Sequence, residues 1–329
     1  MARTISFTDA TLEAMQEEMR RDATVFLMGE DIAKQGGIFG QFRGLPQEFG
    51  LDRVRDTPIS EAALVGAGVG AALTGCRPVV DMHFADFITC SMDELVNQAA
   101  KLRYMFGEQC VVPMTLRAPD GITKSAGSQH SQALESWFVH TPGLEVVVPA
   151  DAEDAKGLLK AAIRSDNPTL YFEHKALFPQ KGAVPDDDDF VVPIGKAKTM
   201  RGGGDALIVT YGITVGRALD AAKQLEADGI DVTVLNLRTV WPLDYDAIAN
   251  AVARTHRVVV AHEAVRVGGV GAELAAWIGE HCFDDLDGPV VRLGAAHVPV
   301  PFAPVLQEAM YPKAPMIADA TRRLVRREI

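Results

Sequence analysis

The sequence predicts an α/β fold: a parallel sheet flanked by helices, followed by a second, smaller α/β domain. Three observations lead there. The chain has 329 residues, 48% of them hydrophobic, which is more than one core comfortably organises. Short apolar, β-rich runs alternate with stretches of helical period, the pattern of a parallel sheet covered on both faces. That alternation breaks once, in a stretch rich in Pro, Gly and Asp, and then restarts.

Taken in order, Thr8 or Asp9 is expected to cap a first helix carrying Leu12, Met15 and Met19 on one side, with the strand "TVFLMG" after it. A second helix is expected after Ser60, in "ISEAALVGAGVGAALTG", then the strand "PVVDM", a helix near Met92 to Phe106, and the strands "VVPMTLR" and "LEVVVP". The helix "DAEDAKGLLKAAIRS" and the strand "PTLYFE" complete a domain spanning residues 1–175. Residues 176–204 read as a linker with one short strand, "FVVPI". Residues 205–329 form the second domain, with strands "DALIVTYG", "IDVTVLNL", "RVVVAHE" and "PVVRLG" and helices near Val215 to Ala227, Tyr245 to Arg254 and Gly271 to His281.

Charge and cysteine usage exclude several function classes. A net charge of −12 argues against nucleic acid or an anionic membrane as partner, because both reward a basic face. Asp186 to Asp189 form a block of like charge, read as a solvated part of the linker. Cys76, Cys90, Cys110 and Cys282 are far apart and lack the paired spacing of a zinc site or a redox dithiol, so they are expected to be reduced and buried. The first residues carry acidic groups and no apolar signal region, and no stretch is apolar enough to span a membrane. The cytoplasm is the expected location, although a mature organellar chain has the same features.

Two glycine-rich runs invite a phosphate-binding reading. "GAGVGAALTG" lies inside a helical period, so tight helix packing accounts better for it. "GGVGAE", Gly268 to Glu273, follows a strand and opens a helix, where a phosphate could sit on backbone amides. No G-x-S-x-G turn and no histidine pair with metal-ligand spacing occurs. Two residues stand out. Glu61 directly follows Ser60 at a helix start, where a glutamate is commonly a partner of the helix dipole. His130 sits between two glutamines in the polar segment "GSQHSQ", which is an unusual place for a packing histidine and a suitable one for access.

Further motifs carry a family resemblance. "FLMGED", "DTPISE", "ADF", "LVNQAAKLRYMFG", "SQHSQALESWFVHTPGLEVVVPADAEDAKGLLKAAIRSDNP", "GGVGAE" and "HVPVPFAP" together resemble the β subunit of the thiamine-diphosphate-dependent first component of 2-oxo acid dehydrogenase complexes, a family with pyruvate, acetoin and branched-chain members. The resemblance covers essentially the whole chain in order. It implies a transketolase-type pyrimidine-binding domain followed by a transketolase C-terminal domain. It implies that Glu61 hydrogen-bonds a ring nitrogen of the cofactor's aminopyrimidine and favours its imino tautomer, in a buried setting. Ile59 and Phe87 match positions that pack on that ring. His83 stands beside it, where Met or Gln is usual. His130 matches the active-site histidine that moves protons while the acyl group passes to a lipoyl group. A potassium site built mainly from backbone carbonyls would map to Met114, Ala162, Ile163, Ser165 and Asn167, with Ser165 where Asp is common.

The superfamily's G-D-G motif for diphosphate and Mg²⁺ is missing; the nearest match is "PDGITK". The resemblance therefore implies that an α subunit holds the Mg²⁺ and shares the thiamine diphosphate, in an α2β2 heterotetramer that delivers its product to a lipoyl acyltransferase core. The substrate implied is a small 2-oxo acid or acetoin, with "FEHKALF" closer to acetoin and pyruvate members than to branched-chain ones. Two rival readings remain at this point: a non-catalytic nucleotide-binding α/β module, and a split transketolase or deoxyxylulose-phosphate synthase acting on sugar phosphates.

Overall fold

The computed structural model describes residues 2–329. The chain forms two units: residues up to 120 together with 137–194, and residues 121–136 together with 195–329. This division differs from the expected one in two ways. The segment carrying His130 clusters with the later part of the chain, and residues 176–204 are not a bare linker. They contain the strand Lys181–Pro185, which pairs antiparallel with Ala2–Ser6, and the strand Lys198–Arg201, while "FVVPI" is not a strand.

In the first unit the strands lie in the order Glu145–Val147, Thr169–His174, Thr115–Asp120, Arg77–Asp81, Val25–Gly29, Val54–Asp56, all parallel. Their side chains are buried almost throughout, as expected where both faces are covered. The helix Phe7–Arg21 is capped by Ser6, whose hydroxyl accepts from the Asp9 amide at 3.0 Å, rather than by Thr8 or Asp9. It packs on the helix Ala152–Arg164, and Met15, Met19, Val25, Leu27, Leu158, Leu159 and Tyr171 fill the core beneath. The "GAGVGAALTG" run lies within the helix Glu61–Leu73, where a Cβ on Gly68 would stand 2.6 Å from Val80 Cγ2. Packing therefore explains that glycine. The helix expected near Met92 to Phe106 begins earlier, as a 3₁₀ turn at Ala85–Ser91, a π-helical stretch at Asp93–Ala99, and an α-helical turn at Ala100–Met105.

Two charge clusters are buried in this unit. Between the first helix and Ala152–Arg164, the fully buried side chains of Lys156 and Lys160 alternate with acids. Lys156 lies 2.6 Å from Glu13 and 2.8 Å from Glu17, Lys160 lies 2.6 Å from Glu17, and Arg164 lies 2.7 Å from Glu18. The exposed block Asp186 to Asp189 contributes backbone carbonyls, Asp187 to Lys156 and Asp188 to Lys160. Deeper in the sheet, the Arg117 guanidinium is wholly buried between Asp81, at 2.6 Å, and Glu173, and it lies 4.9 Å from the centre of the Phe42 ring.

The second unit has a five-stranded sheet in the order Val291–Ala295, Val258–Val265, Ala206–Thr210, Val232–Asn236, Lys198–Arg201. The first four strands are parallel and Lys198–Arg201 is antiparallel. The helices Thr214–Glu226, Tyr245–Thr255 and Val270–His281 match the expected ones. The sequence reading missed the last helix, Ala314–Val325, which buries Ile317, Ala318, Thr321 and Leu324 and packs on Thr214–Glu226. All four cysteines are free. Cys282 is buried, Cys76 and Cys110 are half-buried, and Cys90 is exposed, contrary to the expectation of burial. No helix among the described residues is long and apolar enough to cross a membrane.

One cation faces two carboxylates in the Asp81–Arg117–Glu173 cluster. Burial pushes the Glu173 carboxyl up from 4.5 to about 7 despite the pull of Arg117. A carboxyl whose pKa is raised by folding contributes stability that is fully present below pH 4.5 and lost as the pH rises through about 7. Urea denaturation at several pH values should therefore show wild type losing stability relative to Glu173→Gln as the pH rises from 4.5 to 7. A difference that stays constant over that window would mean Glu173 does not titrate there.

Candidate functional site

Ligands of open parallel sheets bind outside the carboxyl ends of the strands, and four of the sequence-predicted residues lie at that edge of the first unit. Glu30 follows the strand ending at Gly29, His83 follows the one ending at Asp81, and the segment after Asp56 leads through Ile59 to Glu61. The Thr57 amide donates to the Gly29 carbonyl at 2.9 Å, tying that segment to the strand end beside Glu30. Glu61 opens its helix half-buried, so the setting is less enclosed than expected, and Ser60 makes no side-chain cap. Ile59 is 80% exposed, an unusual position for a large apolar side chain. Phe87 is half-buried on the 3₁₀ turn against the same helix, its ring edge-on to Phe84 at 6.2 Å; Phe84 in turn meets Phe39 at 6.0 Å.

His83 does not point to solvent. Both of its ring nitrogens face Glu30: Nε2 lies 2.8 Å from the Glu30 backbone carbonyl and Nδ1 lies 3.2 Å from Oε2. Glu30 is only 6% exposed. Burial raises its pKa, His83 pulls it down, and Glu61, Asp81 and Asp31 push it up. Glu30 was not among the residues singled out from the sequence. Its signal was available in "FLMGED", where a carboxylate directly follows a buried strand in a parallel-sheet pattern.

His130 belongs to the second unit, and its loop is pinned there rather than mobile. The Ile122 amide donates to Glu263 at 2.7 Å, Ser128 Oγ donates to the Val300 carbonyl at 2.9 Å, and Gln307 Nε2 donates to the Thr123 carbonyl at 3.2 Å. Glu263 is held in turn by Arg217 at 2.6 Å. Where the loop re-enters a helix, buried Glu135 accepts from the Tyr211 hydroxyl at 2.6 Å, and burial raises the Glu135 pKa. His130 itself is half-buried between exposed Gln129 and buried Ser131.

The five residues mapped to potassium gather around the end of the helix Ala152–Arg164. Their carbonyls already have donors. The Arg77 guanidinium donates to Ile163 at 3.2 Å and Ser165 at 2.9 Å, the Thr169 amide to Met114 at 2.9 Å, and the Ser165 amide to Ala162 at 3.2 Å. The Ser165 and Asn167 side chains turn instead to Glu145, at 2.8 and 3.1 Å. The "GGVGAE" run follows its strand and opens its helix as expected, but its glycines have a packing role. A Cβ on Gly271 would stand 2.7 Å from His262 Nε2, and one on Gly269 would stand 2.8 Å from His262 Cε1. His262 is almost wholly buried, donates from Nδ1 to the Ala264 carbonyl at 3.0 Å, and is held neutral by burial, with its pKa lowered to about 4. Among the described residues no group of three or more His, Cys, Asp or Glu is arranged to hold a metal ion.

Residues 3–181 match the family model described as transketolase, pyrimidine binding domain, and residues 195–317 match transketolase, C-terminal domain. The 2-oxoisovalerate dehydrogenase subunit beta of Bacillus subtilis is 44% identical over 97% of this chain and 98% of its own length. The pyruvate dehydrogenase E1 component subunit beta of Rhizobium meliloti is 43% identical over 97% of this chain and 69% of its own. The acetoin:2,6-dichlorophenolindophenol oxidoreductase subunit beta of Bacillus subtilis is 43% identical over 99% and 98%. A solved split-gene transketolase, an inactive β4 tetramer, shares the fold with a TM-score of 0.80 at 22% identity, covering 98% of each chain. Matched along its whole length in both domains, the chain belongs to the transketolase-type family of 2-oxo acid dehydrogenase β subunits.

Proposed function

We propose that this chain is the β subunit of a 2-oxo acid dehydrogenase, which with an α subunit catalyses thiamine-diphosphate-dependent cleavage of a small 2-oxo acid, or of acetoin, and transfers the acyl group to a lipoyl domain. The observation that carries this reading is the end-to-end similarity to three such β subunits. Those relatives name three different substrates at 43–44% identity, so the similarity supports the common reaction and favours none of the three substrates. The sugar-phosphate reading is the weaker one, because the transketolase neighbour stands at 22% identity.

The residues at the first unit's carboxyl edge suit the cofactor's pyrimidine end. An apolar side chain held out into solvent, a half-buried aromatic ring and a glutamate at a helix start match a flat heteroaromatic ring that presents a polar ring nitrogen to the glutamate. When bound, thiamine diphosphate supplies the carbon nucleophile and electron sink for cleaving the bond beside the substrate's carbonyl. Glu61 would hold a proton against the ring nitrogen, and Ile59 and Phe87 would fix the ring's plane. His130, on its anchored loop, would pass a proton to the lipoyl sulfur as the acyl group moves. The Mg²⁺ and the diphosphate would be held by the α subunit of an α2β2 assembly, since the G-D-G motif is missing here. Potassium would share the carbonyl set at the end of Ala152–Arg164 with Arg77, each carbonyl oxygen keeping a second lone pair for it.

Reconstitution with the α subunit tests the reading, and three outcomes are expected. Glu61→Gln assembles normally but loses about 10²-fold or more in turnover, because the amide keeps the shape without exchanging the proton; near-normal turnover would return Glu61 to a partner of the helix dipole. His130→Ala lowers the rate coupled to the lipoyl acceptor by about 10²- to 10⁴-fold and the rate with an artificial electron acceptor far less; equal losses would move His130 to the cleavage step. Exchanging Na⁺ for K⁺ at constant ionic strength raises the thermal midpoint of the chain by about 2 °C or more; identical midpoints would leave Arg77 as the sole cation at that carbonyl set.

A further inference from the structure

The contact between His83 and Glu30 constrains where one proton can be. The Glu30 backbone carbonyl can only accept, so the 2.8 Å contact puts a hydrogen on His83 Nε2. The other ring nitrogen, Nδ1, lies 3.2 Å from Glu30 Oε2, an ion-pair distance at which one further proton held between the two groups makes the contact attractive. If the proton is on Oε2, a carboxylic acid donates to a neutral imidazole. If it is on Nδ1, an imidazolium donates to a carboxylate. Only the bond to that proton changes, and the pair is neutral either way. Loss of the proton leaves a charge of −1 buried at the carboxyl edge.

We propose that His83 and Glu30 share a single proton and act as a positioning pair that keeps the surface facing Glu61 electrically neutral while Glu61 works. The proposal rests on the reading of Glu61 as the group that contacts the cofactor. The groups around the pair make its proton consequential. Asp81, at the end of the neighbouring strand, Asp31, on the same loop, and Glu61, at the start of its helix, are all acidic and act on Glu30. Arg117 is the cation behind Asp81, and its guanidinium is already committed between Asp81 and Glu173. His83 is therefore the positive partner available to Glu30, and a deprotonated pair would add a second negative charge beside Glu61. His83 acts through Glu30, which both of its ring nitrogens face, and in that role it is a positioning residue. Groups this close titrate as a pair rather than singly.

The test uses His83→Gln, which keeps a donor for the Glu30 carbonyl but cannot take the second proton, and His83→Met as an independent variant. Two readouts are taken. In the assembled enzyme, the alkaline limb of the kcat profile with an artificial acceptor should move to lower pH by about one unit in both variants. In the full chain, infrared titration should show the Glu30 carboxylic-acid band, identified by its absence in Glu30→Gln, growing in both variants because the cationic partner that favours the carboxylate is gone. A band and a limb both unchanged would overturn the shared proton, and a changed band with an unmoved limb would overturn the positioning role. If wild type assembled with the α subunit shows no thiamine-diphosphate-dependent turnover, the reading of the chain's function fails instead, while the infrared titration still reports on the pair.

Discussion

The three central strands of the first unit depend on one buried cation. Arg117 lies in a central strand with an acid on each neighbouring strand, Asp81 on one side and Glu173 on the other. Removing one member of a buried ion pair typically costs about 3–5 kcal/mol, because the remaining charge cannot regain water. The three strands are therefore held in register by charge as well as by their backbone ladders. Register matters here because Asp81 is the last residue of its strand, and the Met82 amide just beyond it donates to the Arg117 carbonyl at 2.9 Å. His83 comes next and meets Glu30, so the electrostatics of the core are continuous with those of the carboxyl edge.

The outer helices repeat the same logic at larger scale. Lys156, Lys160 and Arg164 are four residues apart and so lie on one face of their helix, opposite Glu13, Glu17 and Glu18. Both lysine side chains are fully buried, which is rare without pairing. Their remaining hydrogen-bonding capacity goes to backbone carbonyls of the Asp187 and Asp188 turn. A stretch that reads as a solvated linker thus closes the end of a buried ion ladder.

The second unit shows how similar signals separate once packing is known. Gly268 to Glu273 has the strand-then-helix context of a phosphate loop, yet Gly269 and Gly271 are small because the His262 ring lies against them. Conversely, the polar segment 121–132 that carries His130 is fastened at Ile122 to Glu263, at Thr123 to Gln307 and at Ser128 to Val300. A proton-transferring side chain benefits from such fastening, since small misplacements are costly to catalysis.

The sequence alone determined the α/β class, the parallel strands other than Val54–Asp56 in their order along the chain, and Glu61 and His130 as candidates, because burial period and local chemistry are written in neighbouring residues. It did not reveal the last helix, the strands within 176–204 or the attachment of residues 121–136 to the later unit, since each depends on partners far away in the chain. Glu30 was hidden for the same reason. A carboxylate directly after a buried strand is visible in "FLMGED", but what sets Glu30 apart comes from His83, 53 positions later. Where function rests on a proton shared between two distant residues, only the tertiary structure brings the two sites within hydrogen-bonding distance, because that distance is set by the pairing of the strands that carry them.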